Sequence, residues 1–396
     1  MFRWPFLAAA VLLAVVPPPS HSQYLFVWAM EVRHLDASTP AAAGMGRDFL
    51  AVFDVAPDAT PFGRLVAMLP VGNGARMAHH TNYTLPPNNV LFANDWMADR
   101  TYMFDLHDPQ HPRLVSQLGD AGQYMYPHSF VHLANDHTLA TYQYTGGFNR
   151  APGGLVELDA AGHVVRSSSA AAAQIDPNIR PYSIAVVEKL DRVVTSSEDM
   201  MGAQTSHVVQ VWRLSDLTLL RTIVLPKPPD WYNDDAADST EPRVLGDGAT
   251  VVVPTFSCGL YLVHNLAGKD PTLEHVYDFG YRNCEVPVVV GDYLVETMQS
   301  GHAIVSLDMH DPAHPHEASR ILLKPDEYPH WLAVEPGGNR LVITGYGELR
   351  TRARFATIDR ETGQLALDPE SIDFTRAWPD GWTGSAVPHG AVFSNE

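Results

Sequence analysis

The chain has 396 residues, 45% hydrophobic and 18% charged, with a formal net charge of -19. That length and apolar content sustain a large buried core. The acidic balance excludes nucleic acid and anionic membrane surfaces as partners, because counterion release needs clustered Lys and Arg, and no such cluster is present.

Met1, Phe2 and Arg3 precede an apolar run from Pro5 to Val16, which ends in Pro17-Pro18-Pro19-Ser20-His21-Ser22. This order reads as a secretory signal over residues 1–22, cleaved after Ser22, and predicts an exported protein, periplasmic or secreted. The run falls short of the roughly 20 apolar residues of a spanning helix, as does every later stretch, so no membrane insertion is expected.

Beyond it, short β-rich runs alternate with turn residues, and no long amphipathic helical pattern occurs. Asp105-Leu-His-Asp-Pro-Gln-His-Pro112 and Asp308-Met-His-Asp-Pro-Ala-His-Pro315 are close copies, each between two strands, where Asp-Pro sets a tight turn. Weaker copies stand at Val52–Pro57, Val156–Asp159, Val211–Asp216, Tyr261–His264 and Ala356–Asp359. The spacing of roughly 45 to 60 residues suits a four-stranded propeller blade with loops.

A second landmark recurs upstream of these turns, where each innermost strand should begin: His79-His80, Pro127-His128, Pro181-Tyr182, Pro242-Arg243, Glu285-Val286-Pro287, Pro329-His330 and Pro388-His389. The last leaves room for one strand, and Tyr24–Met30, Phe49–Val55 and Arg64–Leu69 supply the other three. The expected fold is therefore all-β: a single seven-bladed β-propeller over residues 23–396, closed by N- and C-terminal strands in one blade.

His80, His128, His330 and His389 fall on consecutive blades of the closed ring, where innermost strands converge on the channel. Imidazoles gathered from neighbouring blades suit copper, with zinc or iron as alternatives, better than calcium or magnesium. Taken singly, each histidine could equally cap a strand by bonding a carbonyl. His79 neighbours His80, and at most one of the pair faces the channel if the strand is regular. His132 lies about 13 Å beyond His128 along a regular strand at roughly 3.3 Å per residue, which fits a deeper channel residue or a supporting partner. His302 is ambiguous, whereas His107, His111, His310, His314 and His316 belong to solvated turns.

Glu241 and Glu285 lie near the channel, where either can orient a ligand histidine, serve as a base, or simply pair with a neighbour such as Arg243. Asn82-Tyr83-Thr84 satisfies a glycosylation sequon. Cys258 and Cys284 can pair in an oxidising compartment, and two separate buried thiols fit the sequence equally well. No GxSxG elbow, phosphate-binding glycine loop or HExxH helix occurs.

Phe49–Pro57, the His79-His80 doublet, Asp105–Val115, Pro127-His128 with His132, Ser197-Glu198, Ser206–Trp212, Glu285–Pro287, Gly301-His302 and Pro388-His389 together resemble the selenium-binding protein family, which includes methanethiol oxidases. The resemblance implies a propeller whose central histidines hold copper and which oxidises methanethiol with dioxygen to formaldehyde, hydrogen sulfide and hydrogen peroxide. It carries metal roles to His80, His128 and His389, and supporting roles to His79 and His132; His330 rests on the channel geometry alone. Residues 81–100 contain no cysteine, so the family's thiol pair is missing, and its histidine pair spaced by three is spaced by four here.

The expected function is copper-dependent oxidation of a small thiol, with His79, His132 and Glu285 assisting the metal ligands. The alternatives are a non-catalytic propeller that binds a metal, small ligand or protein partner at the channel mouth, and a metal-assisted hydrolase or isomerase.

Overall fold

The computed structural model describes residues 23–32, 45–71, 77–201, 206–226 and 238–395. The signal-sequence expectation for 1–22 lies outside them. Seven antiparallel sheets follow one another around a ring. The first blade takes Thr383–Phe393 innermost, then Tyr24–Val32, Met45–Asp54 and Arg64–Val71, with the short Thr375–Ala377 paired beside Thr383–Phe393. Six four-stranded blades follow in chain order, with innermost strands Ala78–Thr81, Tyr124–His132, Pro181–Val187, Arg243–Val244, Cys284–Val290 and Glu327–Val334. Each innermost strand touches the next, from the first blade round to the seventh and back.

Closure rests on one antiparallel pairing, in which Leu25 faces Phe393, Val27 faces Ala391 and Val32 faces Ser385. The sheet thus has no open edge where the two ends of the chain meet. Period-two alternation explains why this blade's strands are apolar on both faces. Leu25, Val27 and Ala29 pack with Trp331 and Phe355 of the seventh blade, while Phe26, Trp28 and Met30 pack with Leu91 and Phe104 of the second. The other blade interfaces repeat the scheme, so the core is a series of layers between blades.

The sequence left the two cysteines open; they form a buried disulfide between Cys258 and Cys284 that ties the fifth blade to the start of the sixth. Asn82 of the sequon is buried, its side chain bonded to the backbones of Phe92 (2.8 Å) and Phe130 (3.4 Å), which leaves no room for a glycan in the folded chain.

Candidate metal centre

One local device aims the site. Six of the seven innermost strands carry one extra residue against their neighbour strand, at Ala78/Thr81, Pro127/Phe130, Pro181/Ile184, Glu285/Val288, Pro329/Trp331 and Pro388/Ala391. Such a bulge bends the strand and re-aims a side chain, and proline fits there because no ladder donor is needed. His128, Tyr182, His330 and His389 each follow the proline of a bulge. Gly390 lets the first and second blades close up, since a Cβ there would lie 2.9 Å from the Thr81 backbone nitrogen.

The bulge also corrects the expectation for His79. Across Ala78–Thr81 alternation fails, and both members of the doublet turn inward, their rings stacked 4.0 Å apart and 5° from parallel. His79, His80, His330 and His389 present nitrogens within 4.8 Å of one another. The ring centroids of His79 and His389 are 4.4 Å apart, and those of His330 and His389 4.6 Å. His128, expected among the four, instead joins His80 and Glu241 in a second set of the same compactness.

All five rings are buried. Burial, the largest cause, together with neighbouring imidazoles, holds His79, His80 and His389 far below the usual histidine range, and burial takes His128 down to about 3. The rings of His79, His80, His128 and His389 are therefore held toward the neutral form, which offers a lone pair. The tautomers of two are fixed from behind: Nδ1 of His128 donates to the Tyr182 carbonyl (2.8 Å), and Nδ1 of His330 donates to Glu285 (2.7 Å). Nε2 of each has no hydrogen-bond partner, nor have Nδ1 of His79, both nitrogens of His80, and Nδ1 of His389. Buried polar atoms are ordinarily paired. Six buried ring nitrogens without hydrogen-bond partners fit a transition-metal ion.

Aromatic rings wall the centre. The Tyr182 ring lies 3.8 Å from that of His128, and Tyr346 lies 5.1 Å from His330 with its hydroxyl 3.4 Å from His389 Nε2. Tyr346 sits opposite Tyr328, ahead of His330 along the strand, whereas Trp331 follows His330 and closes the other side, 5.0 Å from His80 and stacked on Tyr83. At the Tyr346 end, burial and then the nearby carboxylates Glu285 and Asp238 push Glu198 well above the usual carboxyl range, and its Oε2 has no partner. Tyr346 was not singled out from the sequence, which offered no repeat signal there; Pro181-Tyr182 and Ser197-Glu198 stood in recognised motifs without a role.

The other sequence candidates lie apart. His132, at the far end of its strand, is outside the cluster with Nε2 3.5 Å from Asp136. His302 bonds the Glu327 carbonyl through Nδ1 at 3.2 Å. His107 and His310 cap Asp105 and Asp308 at 2.7 Å each in exposed turns, as expected. Glu285 sits behind His330 as an orienting carboxylate, its other oxygen held by Gln299.

No protein-family profile matches the chain. A stretch of 114 residues is 31% identical to methanethiol oxidase from a Hyphomicrobium species, and it covers 28% of this chain and 24% of that protein. Among solved structures, a hypothetical selenium-binding protein from Sulfolobus tokodaii superposes with a TM-score of 0.70 at 14% identity, over 95% of this chain and 94% of the other. The periplasmic gluconolactonase of Pseudomonas aeruginosa superposes with a TM-score of 0.58 at 14% identity, over 93% and 98%. At that identity the superpositions establish the propeller fold alone. The resemblance to the selenium-binding and methanethiol oxidase proteins thus holds in one stretch of sequence and in the shape of the whole ring.

Proposed function

We propose that the chain is an exported, copper-dependent oxidase of a small thiol, of the methanethiol oxidase kind, with the metal held by His79, His80, His330 and His389. The observation that carries this reading is the set of buried ring nitrogens that converge without protein partners. Nitrogen donors alone suit copper, with zinc or iron as the alternatives. When bound, copper supplies a redox centre that takes a thiolate and passes electrons to dioxygen.

The chain's own residues prepare that chemistry. Glu285 fixes the His330 ring so that Nε2 faces inward. The Tyr346 hydroxyl lies 3.4 Å from His389 Nε2, where a molecule entering from the Glu198 end would meet it. Burial and the neighbouring carboxylates Glu285 and Asp238 raise Glu198 well above the usual carboxyl range, which favours its protonated form there. Trp331 and Tyr83 exclude water from the opposite side, so charge at the centre is weakly screened. The reaction inferred for methanethiol is balanced: with dioxygen and water it gives formaldehyde, hydrogen sulfide and hydrogen peroxide.

Elemental analysis and electron paramagnetic resonance on protein purified without chelator test the reading, followed by aerobic incubation with methanethiol and assay of sulfide and peroxide. Copper with a nitrogen-rich spectrum and turnover supports it. Metal bound without turnover supports the non-catalytic binding propeller instead, and protein that stays metal-free and inactive overturns both.

A further inference from the structure

We propose that the centre holds two cations rather than one, with the His80 ring shared between the four-histidine set and a second site made by His80, His128 and Glu241. This rests on the metal reading above and extends it to residues that reading leaves unused. His80 is the reason to look for a second ion: it is wholly buried, and neither ring nitrogen has a hydrogen-bond partner. A neutral imidazole carries one N–H, and a buried donor with no acceptor is costly. One cation explains one nitrogen; the other is left stranded.

Nδ1 of His80 lies 3.7 Å from Glu241 Oε1 and is the nitrogen assigned to the second site, with Nε2 assigned to the first. That oxygen is buried and has no hydrogen bond of its own, whereas its twin, Oε2, accepts from both Tyr83 and Ser183 and faces Arg243 at 3.4 Å. The carboxylate is therefore anchored by one oxygen and presents the other. His128 completes the set: its Nδ1 is committed to the Tyr182 carbonyl, and its Nε2 is free. Two imidazole nitrogens and one carboxylate oxygen are the donors of a three-ligand zinc-type site with a position open, and they suit a divalent transition ion better than magnesium or calcium. Nε2 of His80 serves the four-histidine set. On loading, the His80 N–H proton leaves to solvent, as protons do when metals bind their ligands.

Zinc is the probe. The full chain, stripped with chelator and dialysed against zinc chloride, should retain two zinc ions per chain by elemental analysis. Glu241→Gln keeps the anchored oxygen but weakens the presented one, and His128→Gln attacks the same site from another blade; each should retain one, with circular dichroism unchanged. Loaded with copper instead, the wild type should give a resonance signal weakened by coupling through the shared ring, and Glu241→Gln should recover the full signal of an isolated ion. One zinc in the wild type overturns the shared-ring proposal and leaves the four-histidine reading standing. Two zinc ions that persist in both variants overturn it too, by putting the second ion elsewhere. No zinc in any form overturns both readings.

Discussion

The two sides of the channel carry opposite chemistry. The seventh, first, second and third blades contribute His330, His389, His79, His80 and His128, while the fourth, fifth and sixth contribute Glu198, Glu241 and Glu285. The histidines stand at the bulges of innermost strands, whereas Glu198 follows the second strand of its blade, Arg192–Ser197, and Glu241 precedes the unbulged Arg243–Val244. The difference teaches that the bulge supplies direction only, and that the residue placed beside it sets the chemistry each blade offers the channel.

The comparison breaks most completely if a ligand is removed from the basic half. His330→Ala should lose metal affinity by more than about a hundredfold, beyond the roughly 10–100-fold typical when only an orienting partner is lost, and equilibrium dialysis measures it. The fold should persist, since the ring's contacts lie between blades.

On the acidic half the covalent tie should matter more for stability than for binding. Replacing Cys258 and Cys284 by serine opens a loop with a sequence separation of 26. Denaturant unfolding should then show a loss of about 3–4 kcal/mol if chain entropy governs the effect. Metal content should hold, unless the start of the sixth blade also drifts and releases Glu285.

Glu285→Ala sharpens the contrast between ligand and orienter. It should lower metal affinity by roughly 10–100-fold without abolishing binding, as loss of a carboxylate behind a ligand histidine does. Equal losses for Glu285→Ala and His330→Ala would erase the distinction between the halves.

The smallest effect concerns a carboxyl away from the channel. Burial raises Asp99 to about 7, partly offset by the Tyr126 amide it accepts from. The sign follows from proton counts: between about pH 4 and pH 7 the native state holds a proton there that the unfolded chain has released, so this group's contribution falls as pH rises through that window. Asp99→Asn keeps an acceptor for Tyr126 and should flatten that part of the stability–pH curve in thermal melts across the window.

Most of the ring was legible in the sequence, because Asp-Pro turns and the prolines before His128, Tyr182, His330 and His389 mark strand boundaries directly. Closure by both ends followed from counting strands around Pro388-His389. What escaped was the direction of His79 and the company of His128. Strict alternation holds only for a regular strand, and the extra residue between Ala78 and Thr81 is invisible without a register to compare. The split of the histidines into two sets depends on angles between blades, which no spacing encodes. The Tyr346 wall escaped for the same reason, as its place above His389 comes from the strand opposite Tyr328. The disulfide needed a distance, which only the packed blades supply.

Ring closure and ligand placement share one strand. Thr383–Phe393 pairs with Tyr24–Val32 to seal the first blade and, within the register slip between Pro388 and Ala391, carries His389. A chain whose other six blades have formed still lacks one wall of the centre until that pairing is made. The full set of inward histidines therefore exists only once the ring is closed, so metal retention would report that the circle is complete.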